Sequence, residues 1–140
     1  MDKKQLLLTI VTPEKTVLAD KPVDSVTIPA LGGEMGVLPG HASFAVQLKE
    51  GVLHYKEGPR KEFFSVHSGF AEIHKDKVLV LAEAAELAKE LNEERARQAY
   101  QKAKENLAVR GAALDLEEAT AALRRAAVRL KLAEMRRKHK

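Results

Sequence analysis

The 140-residue chain contains no cysteine, which excludes disulfides and thiolate zinc sites and fits a reducing compartment. Long apolar runs are missing too. None approaches the ~18 residues a helix needs to cross a bilayer, and the polar start Met1-Asp2-Lys3-Lys4-Gln5 is not a signal peptide. The chain is therefore expected to be soluble, or to meet a membrane only through partners. Aromatic residues are scarce: Phe44, Tyr55, Phe63, Phe64, Phe70 and Tyr100. They do not interleave with the basic residues, as stacking on nucleic acid would require.

The charge that is present is unevenly placed. Residues 1–85 hold 10 Lys/Arg and 11 Asp/Glu, a net −1, whereas residues 86–140 hold 14 and 9, a net +5. The positive field belongs to the C-terminal part, which calls for an acidic partner there. The nine acids sharing that part also argue against a nucleic-acid module.

The two parts differ in period. In the first, Gln5–Thr12, Val23–Ile28, Ser43–Leu48, Gly51–Lys56, Glu62–His67, Gly69–His74 and Val78–Ala82 read as short strands separated by turn residues. Tight turns between them exclude parallel crossovers, so the expectation is an antiparallel sandwich or flattened barrel. From Glu83 to Val109 alanine and leucine recur at helical intervals without Pro or Gly. Gly111 reads as a left-handed stop, and Asp115 with Glu118 three residues on reads as a capping box. A second helix then carries Leu116, Leu123 and Leu130 beside Ala119, Ala126 and Ala133, a stripe suited to close antiparallel packing. The expected domains are a β unit, 1–85, and a helical hairpin, 86–140. An alanine seam stabilises far less than a leucine one, at roughly 0.8 kcal/mol per buried methylene. Such a hairpin is expected to dock and undock.

No catalytic constellation emerges. Gly32-Gly33-Glu34-Met35-Gly36-Val37-Leu38-Pro39-Gly40 is glycine-rich but lacks the Gly-Lys-Ser/Thr ending of a P-loop, and reads as turn-building. His41, His54, His67, His74 and His139 form no His-x-x-x-His pair, and no carboxylate completes a metal site. They read as structural. Ser65 and Ser68 sit in no nucleophile elbow. Glu93-Glu94 and Glu117-Glu118 fall where first helical turns favour negative charge.

The string Gly33-Glu34-Met35-Gly36-Val37-Leu38-Pro39-Gly40-His41-Ala42 is followed by Phe63-Phe64-Ser65-Val66-His67-Ser68-Gly69-Phe70 and Val78-Leu79-Val80-Leu81-Ala82. Together these resemble the epsilon subunit of bacterial F-type ATP synthases, and the likeness runs from Val11-Thr12-Pro13 through Ala133-Glu134-Met135. The resemblance implies a β-sandwich of about ten strands that binds the gamma subunit and rests on the c-ring. It implies a non-catalytic rotor subunit of the central stalk, peripheral on the cytoplasmic face of the bacterial inner membrane and held there only through the complex. The alpha and beta subunits carry the catalytic nucleotides, so no cofactor is required here. Glu34 and His41 are expected on a loop facing the c-ring.

The resemblance further implies a hairpin that folds against the sandwich or extends into the catalytic head, where it restrains hydrolysis. Arg124, Arg125, Arg129, Arg136 and Arg137 are then candidates for an acidic segment of the beta subunit, each able to fork onto a carboxylate. Some members bind regulatory ATP through Ile/Leu-Asp-x-x-Arg-Ala, which here reads Leu91-Asn92-Glu93-Glu94-Arg95-Ala96. Asn92 replaces the aspartate: it keeps the helix cap and loses the charge. Glu86, Arg95, Arg125 and Arg129 match further nucleotide positions, and Lys102 stands where arginine is usual. The alternative that stays open is a stand-alone ATP-binding sensor whose helices close on the nucleotide.

Overall fold

A computed structural model describes the backbone of residues 4–109 and 116–138, and the side chains of these except 109, 116 and 136–138. The chain divides into two compact units, Met1–Leu87 and Ala88–Lys140.

The first unit is a β-sandwich of eight strands: β1 Leu6–Val11, β2 Thr16–Val23, β3 Ser25–Ala30, β4 Gly33–Val37, β5 Phe44–Leu48, β6 Gly51–Glu57, β7 Arg60–His74 and β8 Lys77–Leu87. Hydrogen bonding runs β2-β1-β8-β7-β5-β3-β4, and β6 bridges β3 and β7. Inward positions alternate, as a sheet with one buried face requires. In β1, Leu6, Leu8 and Ile10 are fully buried, and they join Val23, Val26, Ile28, Val37, Leu53 and Phe64 in one core.

Four sequence expectations need correction. The described residues form eight strands, whereas about ten were expected, and the sheet is mixed: β1 and β8 pair in parallel, Leu7 against Lys77 through Val11 against Leu81. The rule against parallel pairing holds for strands joined by tight turns, whereas β1 and β8 are far apart in the chain. Gly33–Val37 is a strand rather than part of a turn; it pairs with β3 from Ala30↔Gly33 to Val26↔Val37. Only Leu31-Gly32 makes the turn there, and Gly40 (φ 87) keeps the left-handed role while donating to Asp76 Oδ1 at 2.7 Å. Finally, residues 83–87 are the end of β8 and not the start of a helix, because they continue its pairing along β7: Phe64 pairs with Leu87 and Val66 with Ala85.

The long β7–β8 hairpin is a corner shared by both layers. In the first part of β7 the even residues Phe64 and Val66 enter the core, and in the second part the odd residues Ala71 and Ile73 do. β8 makes the matching change, from Val78, Val80 and Ala82 to Ala85 and Leu87. The parity reverses at Ser68 (φ 51) and Gly69 (φ 128), left-handed conformations that side chains resist. This break is why the sequence reads as two strands, Glu62–His67 and Gly69–His74. β7 pairs with β6 before it and with β5 after it, which is how a sandwich strand switches sheets.

The second unit holds a 3-10 turn, Ala88–Glu90, and two helices, α1 Glu93–Val109 and α2 Leu116–Lys138. Asn92 caps α1: Arg95 N donates to Asn92 Oδ1 at 3.0 Å, and Ala96 N to Asn92 O at 3.0 Å. Glu93 and Glu94 occupy the first turn of α1, and Glu117 and Glu118 that of α2. The expected stop at Gly111 and cap at Asp115 lie outside the described residues, as does the side chain of Leu116. Of the expected seam, Ala126 and Ala133 are buried and Leu123 and Leu130 half-buried. Leu132, off the leucine heptad, is fully buried.

Two substitutions probe these constraints. A Cβ at Gly69 would stand 1.9 Å from the Leu81 carbonyl oxygen, whereas one at Gly36 meets nothing within 4 Å. Gly69→Ala is expected to destabilise the full chain by about 3 kcal/mol or more, and Gly36→Ala by less than about 1 kcal/mol, read from denaturant unfolding midpoints. Asn92→Ala is expected to cost the start of α1 about 1 kcal/mol, seen as faster hydrogen exchange at the Arg95 amide, with Asn92→Asp fully restoring protection.

Candidate functional site in the interhelical cleft

On α1, Ala99, Lys102, Ala103 and Asn106 recur at three- and four-residue intervals and so share one face. On α2, Ala119, Ala122, Ala126 and Arg129 do the same, flanked by Glu118 and Arg125. These two faces line a cleft of about 590 Å³, within the range of small-molecule sites. Its cause is the small side chains: alanine methyls let two helices run side by side without filling the space between them. The floor is apolar and the rim is charged. Among the described lining residues Lys102, Arg125 and Arg129 supply three cations against the single carboxylate of Glu118. Arg125 Nη2 reaches Glu118 Oε1 at 3.2 Å.

Elsewhere on α1 some carboxylates are engaged locally. Arg97 bonds Glu94 at 2.8 Å and reaches Glu93 at 3.7 Å, and Gln98 and Gln101 bond Glu94 and Glu105. Among the described lining residues the charged groups lie on the rim. Cations converging over an apolar floor suit an anion with an apolar part, and the two guanidiniums suit phosphate oxygens in particular.

The structure gathers some of the residues expected from sequence and separates others. Lys102, Arg125 and Arg129 line one cleft. Leu91, Asn92, Arg95 and Ala96 do not line it; they form the start of α1, where Asn92 is engaged as the cap and Ala96 is buried. Arg95 lies two turns before Lys102, on the same face of the helix. Glu86 stands in β8, in the first unit, paired with Ser65. Arg124 is exposed and outside the cleft lining, and the side chains of Arg136 and Arg137 lie outside the described residues. Glu34 and His41 do not share a loop. Glu34 is in β4 opposite Pro29, and His41 follows the other end of that strand, its Nδ1 bonding the Ala42 carbonyl at 2.8 Å.

Sequence reasoning missed Asn106 as a lining residue and gave Glu118 to a cap. The signal for Glu118 was its spacing, seven residues before Arg125 and therefore on the same stripe. Among the described residues no group of three or more His, Cys, Asp or Glu could hold a metal ion.

Comparison with known proteins gives one consistent answer. The family described as ATP synthase, Delta/Epsilon chain, beta-sandwich domain matches residues 5–88. The corresponding long alpha-helix domain matches residues 89–134. An ATP synthase epsilon chain of Symbiobacterium thermophilum is 45% identical over 90% of this chain and 91% of its own. One from Nitratidesulfovibrio vulgaris is 43% identical over 93% and 96%. Among solved structures, a chain in the cryo-EM structure of the Euglena gracilis mitochondrial ATP synthase OSCP/F1/c-ring superposes with a TM-score of 0.79 at 26% identity, covering 93% of this chain and 81% of that one. With both of its units matched in order and over nearly its whole length, the chain belongs to the epsilon-chain family of the F-type ATP synthases.

Proposed function

We propose that this subunit joins the rotor through its β unit and senses nucleotide through its helical unit, restraining ATP hydrolysis when the helices are free of nucleotide. The chain is a non-catalytic stalk component; the complex makes ATP. The observation that carries the sensing role is the convergence of Lys102, Arg125 and Arg129 over an alanine floor. Phosphates pair with the rim, and the apolar floor accepts the rest of the nucleotide. Lys102 contributes a point charge in place of a fork, and Asn92, outside the cleft lining, is a neutral amide engaged as a cap. ATP acts here as a regulatory ligand and not as a required cofactor.

Arg125 and Arg129 also belong to the set proposed to meet an acidic segment of the beta subunit, with Arg124, Arg136 and Arg137. One guanidinium cannot serve both partners at once, so nucleotide in the cleft opposes engagement of the head.

A lasting partner for the β unit is supported by its surface. Phe70 and Leu81, 59% and 46% exposed, face each other across β7 and β8, and Val11 of β1 continues the row beyond Leu81. Large apolar side chains side by side on an outer sheet face mark an interaction surface, and the gamma subunit is its proposed occupant. Glu34 and His41 are proposed c-ring contacts, now as two separate points, one in β4 and one beyond its end. Among the described residues no helix is long and apolar enough to cross a membrane. The proposed location, inferred from the complex, is peripheral on the cytoplasmic face of the inner membrane.

Deleting residues 88–140 is expected to leave a sandwich that still assembles while hydrolysis by the purified complex rises; failure to assemble would overturn the division of roles. Calorimetry of the full chain with millimolar ATP is expected to give a binding isotherm that Arg129→Ala weakens about tenfold or more. No heat from the unmodified chain would remove the nucleotide role.

A further inference from the structure

Among the described residues lining the cleft Glu118 is the one acid, and its carboxylate holds Arg125, one of the three cations. The geometry of that pair is unusual for a helix. Glu118 and Arg125 are seven residues apart, two turns, or roughly 10.5 Å along the axis. Contact at 3.2 Å therefore requires Arg125 to stretch back along α2 toward its N-terminus, the direction in which helical side chains lean. The guanidinium is drawn along the cleft wall by an internal anion.

We infer that Glu118 is a built-in competitor for the anionic ligand of the cleft, and so sets its affinity. This rests on the polyphosphate reading of the site. Bound phosphate oxygens must take Arg125 from the Glu118 carboxylate and tolerate that carboxylate nearby. An exposed pair, with side chains 43% and 67% accessible, is weak enough for a doubly charged phosphate to break. It nevertheless lowers affinity, because the free protein has already satisfied part of what the ligand would satisfy. Glu118 is thus an affinity-determining residue acting through Arg125.

The test is calorimetry of the full chain with two separate probes, ATP and inorganic tripolyphosphate, against Glu118→Gln, Glu117→Gln, Arg125→Ala and the Glu118→Gln/Arg125→Ala double variant. Glu118→Gln is expected to tighten both probes about threefold to tenfold. Glu117→Gln removes the same charge from the same helical turn but lies outside the cleft lining; it is expected to change affinity less than about twofold. In the Arg125→Ala background the gain from Glu118→Gln is expected to shrink markedly, the mark of coupling between the two side chains. Loss of a carboxylate from the first turn of α2 weakens the helix, so damage to the fold would act in the opposite direction.

Equal tightening by Glu117→Gln would overturn the proposal by reducing it to bulk charge. Equal ATP binding by the unmodified chain and Glu118→Gln would overturn it while the nucleotide reading stands. Tripolyphosphate binding that responds to Glu118, with no heat from ATP, would support the competition and remove the nucleotide reading. Silence from both probes in both proteins would remove both.

Discussion

The close approach of Gly69 to the backbone of β8 is the constraint from which the sandwich follows. No Cβ fits against the Leu81 carbonyl, and at Ser68 and Gly69 the chain turns left-handed, so the residues entering the core change parity. β7 can therefore serve β6 in one layer and β5 in the other without a chain break. β8 follows the same bend and still has an edge for β1, which pairs with it in parallel. The strained backbone is compensated by continuity: one hairpin ties both layers to a common core.

The helical unit obeys a different economy. Alanine at close intervals favours helix yet buries little, so α1 and α2 meet without closing the space between them. The residual cleft is a direct consequence of choosing methyl groups where leucines would interdigitate. Among the described residues its rim sets Lys102, Arg125 and Arg129 beside the carboxylate of Glu118, the arrangement on which the proposed anion site rests. The two units thus differ physically: the first buries a continuous apolar core, and the second leaves a cleft lined largely by small side chains.

Several of these features are legible from residue types and spacing. The apolar run Gln5–Thr12, bounded by Pro13, marks a strand. Asn92 before Glu93-Glu94 marks a helix start, and it caps as read. Period and charge separated a near-neutral strand-rich part from a basic helical part. The glycine-rich stretch misled, because Gly33 and Gly36 carry low strand preference while the pairing of β4 with β3 decides the conformation. Residues 83–87 misled for the converse reason: alanine, glutamate and leucine suit a helix, and only their pairing along β7 makes them a strand.

Sequence alone determined the class of each unit, the cap at Asn92, the location of the positive charge and the membership of the family, because these depend on local preference and residue identity. Tertiary structure decided the parallel pairing of β1 with β8, the corner at Ser68-Gly69, the strand at β4, and which cations meet. Lys102 and Arg125 lie on different helices, and nothing in their spacing states that the two faces oppose each other. Contacts between distant segments depend on packing that no local pattern encodes. For the same reason Glu118, which reads in sequence as part of a cap, turns out to hold an arginine of the cleft.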